Sequence, residues 1–154
     1  MILTGHSPCK LDAKWRLLMP STFLQQLGKV EPEARFVIKK DIYKKCLNLY
    51  PIAEWEHFIG RIRKKINPFN KQHSEFLTQF HRDTAELNID ANNRLTLPKR
   101  LLDEAGITGE VELVGVGGNI EIWDKTIFEA SKMPEDLFGD LAQSILGDNF
   151  NLED

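Results

Sequence analysis

Cysteine is scarce in this chain. Cys9 and Cys46 are the only two, and they form no C-x-x-C pair, so neither a disulfide framework nor a zinc knuckle is expected and reduced thiols fit best. Long apolar runs are missing too: nowhere do about 18 apolar residues follow one another. The opening Met1-Ile2-Leu3-Thr4-Gly5-His6-Ser7-Pro8 has no basic stretch ahead of an apolar one, so neither a membrane span nor a secretory signal is expected. The four histidines, His6, His57, His73 and His81, show no H-E-x-x-H or comparable ligand spacing, and no metal or other cofactor is expected. No Lys-Ser/Thr follows Gly115-Val116-Gly117-Gly118, so this glycine-rich stretch reads as a turn and not as a phosphate cradle. An overall excess of positive charge is also absent, because 20 Lys/Arg face 23 Asp/Glu for a net charge of -3. On that total alone, nucleic acid is a poor guess.

What is present suffices for a folded core: 154 residues, 42% of them hydrophobic, fit one domain without staples. The net charge hides an asymmetry. Residues 1–82 hold 15 Lys/Arg and 7 Asp/Glu, whereas residues 83–154 hold 5 and 16. Such a split suits a polar, self-complementary assembly, a polyanion-binding face with an acidic counter-face, or ordinary surface charge. A soluble cytoplasmic protein is expected.

An internal repeat organises the chain. Leu11-Asp12-Ala13-Lys14-Trp15-Arg16-Leu17-Leu18-Met19-Pro20 aligns with Ile89-Asp90-Ala91-Asn92-Asn93-Arg94-Leu95-Thr96-Leu97-Pro98 at an offset of 78 residues. Leu24/Leu102 and Gly28/Gly106 keep that offset, and Leu47-Asn48-Leu49-Tyr50 then matches Ile120-Glu121-Ile122-Trp123 at an offset of 73. The first copy therefore has a longer loop. Each copy is too small to bury its own apolar faces well, so the two are expected to pack together.

Each copy reads as a β-hairpin, a short helix and another β-hairpin. A strand ends at Leu11 or Ile89, Asp-Ala-x-x-Arg turns the chain, and a second strand runs over Leu17–Met19 or Leu95–Leu97. Proline then opens a helix, Pro20–Leu27 or Pro98–Ala105, and Gly28 or Gly106 stops it. Two further strands follow, Arg35–Lys39 with Cys46–Tyr50 and Glu110–Gly115 with Asn119–Trp123, the latter joined by good hairpin chemistry in Gly117-Gly118-Asn119. Between the copies, Ile52, Trp55, Phe58, Ile59, Ile62 and Ile66 recur at helical spacing, Asn67-Pro68 breaks the run, and a second helix spans Lys71–Arg82. After the second copy, Asp124 caps a short helix, and Met133-Pro134 precedes an acidic helix bearing Leu137, Phe138, Leu141, Ile145 and Leu146. The expected division is a first repeat over 3–51, a helical linker over 52–82, a second repeat over 83–124 and a helical acidic tail over 125–154.

Asp12 and Asp90 allow two readings, a general acid/base pair or two aspartates that each order their own turn and fix the neighbouring arginine. No serine, histidine or cysteine repeats beside them, and no catalytic residue is expected. Lys44-Lys45 and Arg61–Lys65 are either footprints for phosphates or the wet sides of a loop and a helix. The feature that packing explains least is the basic tip formed by Lys10, Lys14 and Arg16, with Arg94 at the equivalent place in the second copy. A two-stranded β-ribbon fits the DNA major groove, and arginine is the best side chain for bidentate contact with guanine. Several such tips set side by side by oligomerisation would suit a repeated operator.

With these motifs, the sequence resembles the MraZ family of bacterial transcriptional regulators, associated with the division and cell-wall gene cluster. The likeness runs from Leu3 to about Leu146. It rests on Asp12-Ala13-Lys14-Trp15-Arg16 with Pro20, Asp90-Ala91-Asn92-Asn93-Arg94 with Pro98, Leu49-Tyr50-Pro51 with Trp55, and Val114-Gly115-Val116 with Ile120-Glu121-Ile122-Trp123. The resemblance implies an α+β, β-rich fold of two tandem AbrB-like swapped-hairpin β-barrel repeats packed as a pseudo-dimer, with intervening and C-terminal helices. It also implies a ring-shaped homo-oligomer, nucleoid-associated in the cytoplasm, that binds direct repeats of double-stranded DNA upstream of its own operon, usually as a repressor. The family's D-x-K-G-R motif carries over to Asp12, Lys14 and Arg16, with Asp90 and Arg94 as its counterpart. Expected DNA-binding residues are thus Lys10, Asp12, Lys14, Trp15, Arg16, Asp90, Asn93 and Arg94, with the more basic first copy as the main reader.

Three residues depart from that motif: Asn92 stands where the first copy has Lys14, and two others replace glycine. Trp15 and Asn93 stand where the family usually has glycine; asparagine tolerates a left-handed turn and tryptophan fits it poorly. Either the first turn is of another type, or Trp15 is an exposed aromatic added to the DNA face. A different class of function is a protein-interaction module, an antitoxin-like scaffold whose acidic C-terminal part binds a basic partner.

Overall fold

A computed structural model describes residues 1–147; the end of the expected acidic tail, residues 148–154, lies outside the described residues. Eight strands and six helices follow in the order β1 (Leu3–Lys10), β2 (Arg16–Leu18), α1 (Ser21–Leu27), β3 (Arg35–Lys40), β4 (Leu47–Pro51), α2 (Ile52–Arg63), α3 (Lys71–Arg82), β5 (Thr84–Asn88), β6 (Arg94–Thr96), α4 (Lys99–Glu104), β7 (Glu110–Gly117), β8 (Ile120–Asp124), α5 (Lys125–Ala130) and α6 (Glu135–Leu146). The class is α+β. Proline N-caps α1 and α4 in extended backbone, and the chain leaves both helices through glycines of positive φ, Gly28 and Gly106.

The two repeats exchange strands. Six strands form one antiparallel sheet in the order β1-β7-β8-β4-β3-β5, and β2 pairs β6 in a separate two-stranded sheet. β1 of the first repeat therefore lies on β7 of the second, while β5 of the second lies on β3 of the first. This corrects the expected first hairpin of each copy. The Asp-x-x-x-Arg turns do bring their two arms together, but beyond the turn β1 and β2, like β5 and β6, enter different sheets.

That exchange explains the core. Leu3, Leu11, Leu17, Phe23, Ile38 and Leu49 from the first repeat, and Ile89, Leu95, Leu101, Leu102, Leu113 and Ile122 from the second, form one buried cluster. Gly115 also takes its meaning from it. The residue lies within β7 and not in a turn, and a Cβ there would stand 2.5 Å from the Thr4 backbone nitrogen and 2.6 Å from the Leu3 carbonyl carbon. Only glycine lets β1 approach this closely. The tight turn follows at Gly117–Asn119, where the Val116 N–H donates to the Asn119 carbonyl at 3.0 Å.

The intervening helices cover one region of the sheet. Trp55 and Phe58 of α2 meet Tyr50 and Phe80 in an aromatic cluster with ring centroids 5.2 to 6.1 Å apart. Lys39 of β3 is buried beneath α3, donating to the Phe80 carbonyl at 2.5 Å with its ammonium 4.0 Å from the Phe80 ring centroid. Burial lowers its pKa.

Candidate nucleic-acid interface

The two Asp-x-x-x-Arg turns have the same geometry. Asp12 Oδ1 accepts from the backbone N–H groups of Lys14 and Arg16, both at 2.9 Å, and Oδ2 accepts from Arg16 Nε at 2.6 Å. Asp90 repeats each bond, with Asn92 N–H at 2.8 Å, Arg94 N–H at 2.9 Å and Arg94 Nε at 3.2 Å. Main-chain bonds close each loop: Trp15 N–H to the Asp12 carbonyl and Asn93 N–H to the Asp90 carbonyl, both 3.0 Å. The backbone N–H of Arg16 above all, and that of Arg94 in the second copy, holds each carboxyl below its ordinary pKa. Both aspartates are thereby ionised turn-formers, the opposite of the raised pKa a general acid needs.

These bonds also aim the arginines. Each is held through Nε, which leaves both Nη groups of Arg16 and of Arg94 without a hydrogen-bond partner among the described residues. Those terminal donors form the guanidinium fork that matches guanine N7/O6 or a phosphate.

Between the turns lies the β2/β6 ribbon. Its register pairs Arg16 with Thr96, Leu17 with Leu95 and Leu18 with Arg94. Bonds from Leu97 N–H to the Trp15 carbonyl and from Met19 N–H to the Asn93 carbonyl, both 2.9 Å, extend the ladder at each end. Leu17 and Leu95 are fully buried. Because strand side chains alternate, Arg16, Leu18, Arg94 and Thr96 share the opposite face, on which Leu18 is 55% exposed. The ribbon therefore carries two arginines on one outer surface with the turns at its two ends, and Lys14 and Asn92 lie exposed on those turns.

Trp15 keeps the left-handed turn. Its φ is 61° and that of Asn93 is 62°, so the turn type is the same in both copies. Nor is the indole a freely exposed aromatic: it is half-buried against the core, with the Lys99 ammonium 4.4 Å from its ring centroid. Lys99 is the residue sequence reasoning missed, since an exposed lysine in the first turn of α4 carries no signal of its own. Leu18 and Thr96 were findable, because each alternates with a buried leucine.

The remaining basic residues divide. Lys10 ends β1, opposite Glu110, and is exposed. Lys44 is committed to Glu121, whereas Arg61, Arg63, Lys64 and Lys65 are exposed at the end of α2. Glu121 also belongs to a group that the sequence did not announce, in which Asp41, Cys46 and Glu121 bring one ligand atom each within 4.8 Å of one another. Burial, then the neighbouring carboxylates, pushes the Cys46 thiol up to about 12. The sulfur is thus a protonated thiol, and the Lys44 ammonium, paired with Glu121, supplies the local positive charge.

Comparison with known proteins agrees with the repeat. Residues 2–79 and 80–135 each match the family described as "MraZ protein, putative antitoxin-like". The chain is 35% identical over 153 residues to a "Transcriptional regulator MraZ" from Phocaeicola vulgatus, covering 99% of both proteins. It is 36% identical over 148 residues to that of Christiangramia forsetii, covering 96% of this chain and 94% of that protein. With the protein of the same name from Bacteroides thetaiotaomicron the identity is 33% over 144 residues, 94% of this chain and 92% of the other. Two family matches, one on each half of a chain whose halves carry the same turn, show that it belongs to the MraZ family.

Proposed function

We propose that this chain is a sequence-specific, DNA-binding transcriptional regulator and not an enzyme, acting in the cytoplasm at the nucleoid. The observation that carries the reading is the outward β2/β6 face, where two arginines anchored by Asp12 and Asp90 each present two Nη groups that are free among the described residues. A two-stranded ribbon of this kind fits the major groove. Arg16 and Arg94 contact base edges, Asp12 and Asp90 set their aim, and Lys10 and Lys14 neutralise phosphates. Trp15 and Asn93 supply the left-handed turn that raises each arginine to the surface. Lys14 has the uncharged Asn92 as its equivalent in the second copy, so the first copy contributes more to affinity. The relatives' name, "Transcriptional regulator MraZ", supports the same class. Family resemblance extends the proposal to a ring-shaped homo-oligomer that reads direct repeats upstream of its own division and cell-wall operon as a repressor.

The test is a fluorescence-anisotropy titration against duplexes tiling the region upstream of the gene, with scrambled controls, over a salt series. Tight, selective binding that weakens steeply with salt is expected. Arg16→Ala should lose about 1–3 kcal/mol, roughly five- to 150-fold in Kd, with the fold intact by thermal melt. Equal binding to matched and scrambled DNA, or undiminished affinity of Arg16→Ala, refutes the proposal.

One observation favours a second reading, a protein-interaction module. Helix α6 leaves Leu137, Phe138, Leu141 and Ile145 at least 39% exposed and carries Glu135, Asp136 and Asp140 with no Lys or Arg. Such a face suits a basic, apolar protein partner or a neighbouring subunit. A basic protein that co-purifies with the full chain and is lost on deleting residues 134–154 would put this reading first.

A further inference from the structure

The arginines leave part of the ribbon face unexplained. In the register of β2 and β6, Leu18 lies opposite Arg94, and Thr96 lies opposite Arg16. Leu18 and Thr96 occupy the same position in the two repeats, 78 residues apart. They share the outer face with the arginines, and Leu18 shows 55% of its surface to solvent.

A solitary exposed leucine is ordinary. This one stands directly across the ladder from a guanidinium, on a face only two strands wide, where cross-strand side chains lie about 5 Å apart. A group docking on Arg94 must therefore also meet the Leu18 methyls. The equivalent Thr96 carries a methyl as well, together with a hydroxyl. In the major groove the one apolar feature a base pair presents is the thymine 5-methyl, which takes apolar contacts from alanine, threonine or phenylalanine side chains. Arginine reads guanine and has no matching preference for thymine. The face thus has two kinds of reading group, set side by side in two quasi-equivalent pairs.

We infer that Leu18, with Thr96 as its weaker counterpart, is a specificity-determining residue that reads thymine 5-methyl groups beside the bases held by Arg94 and Arg16. The inference rests on the DNA-binding reading above and adds a ligand class to it. Leu18 offers only hydrocarbon, so its contact depends wholly on the methyl. The Thr96 hydroxyl can accept or donate a hydrogen bond, so its site tolerates loss of the methyl better.

The experiment uses the full chain and a bound upstream duplex in which each thymine in turn is replaced by deoxyuridine, which removes the 5-methyl and keeps the pairing. For the unaltered protein, deoxyuridine at the position under Leu18 should weaken binding roughly fourfold, the effect of about one apolar carbon withdrawn from contact. Leu18→Ala should bind the unmodified duplex more weakly by a similar factor and show no further loss on that replacement. Leu18→Thr should restore part of the sensitivity. A thermal melt verifies that these exposed substitutions leave the fold intact. Selective binding indifferent to every deoxyuridine overturns the inference while leaving the DNA reading in place. A Leu18→Ala protein that keeps the full penalty at every position overturns it too. Absence of selective binding to any unmodified duplex, seen before a single thymine is replaced, overturns both.

Discussion

Replacing Trp15 by alanine and by glycine should reverse the ordinary order of those two residues. At a position of negative φ, alanine is the more stabilising by about 0.4–1 kcal/mol, because glycine has more freedom to lose on folding. Trp15 sits at φ 61°, where any residue with a Cβ pays roughly 1–2 kcal/mol against the following carbonyl. Both variants lose the same indole, so its packing and the Lys99 cation above it cancel in the comparison. The remainder is about 0.5–1 kcal/mol in favour of glycine, a difference of roughly 1–4 °C in Tm for a chain of this size. Relative to the unaltered protein both should be destabilised. A half-buried tryptophan is worth about 2 kcal/mol against truncation, taking half the fully buried cost, and the cation–π contact adds about 0.5–1. That packing is what lets tryptophan outlast its own backbone strain. Urea denaturation of the three proteins at one protein concentration measures the differences, since oligomer formation would otherwise shift the midpoints. An alanine variant as stable as the glycine variant, or more so, would refute the argument.

Two further outcomes follow from the same structure. Gly115→Ala should destabilise by about 1–3 kcal/mol through overpacking against the Leu3–Thr4 backbone, whereas Gly60→Ala, in α2 with nothing within 4 Å of its Cβ, should stabilise by about 0.5–1 kcal/mol; thermal melts of the pair decide the matter by sign. Cys46, fully buried with its thiol pushed up to about 12, should resist alkylation at pH 8 until denaturant unfolds the chain, as followed by mass spectrometry.

Local structure was legible in the sequence because local physics sets it. The helix-opening prolines, the glycine exits and the Asp-Ala-x-x-Arg turns placed strands and helices close to where they lie. Partner choice was not legible. Alternation identifies a strand's buried face but not the strand beside it, so nothing in Leu3–Lys10 tells that it lies on Glu110–Gly117. Gly115 was readable as a turn residue for the same reason, since its role exists only once β1 crosses it. At the candidate site, the spacing of Asp12 and Arg16 announced the turn, whose bonds span only five residues. The tolerance of Trp15 depends on Lys99, 84 positions away, and on the shared core against which the indole packs. The Asp41, Cys46 and Glu121 group likewise joins distant segments through the pairing of β4 with β8.

The strand exchange also sets a timetable for the growing chain. β1 is complete at Lys10, but its partner strand ends at Gly117, so at about 5–20 residues per second β1 waits on the order of ten seconds for its place. Meanwhile β3 and β4 can pair, yet the edge of β3 stays uncovered until β5 emerges. The first half of the protein therefore spends its early life as an open sheet, with β1 still lacking its partner. Neither repeat completes its sheet from its own strands, so the core closes only once β7 and β8 have emerged.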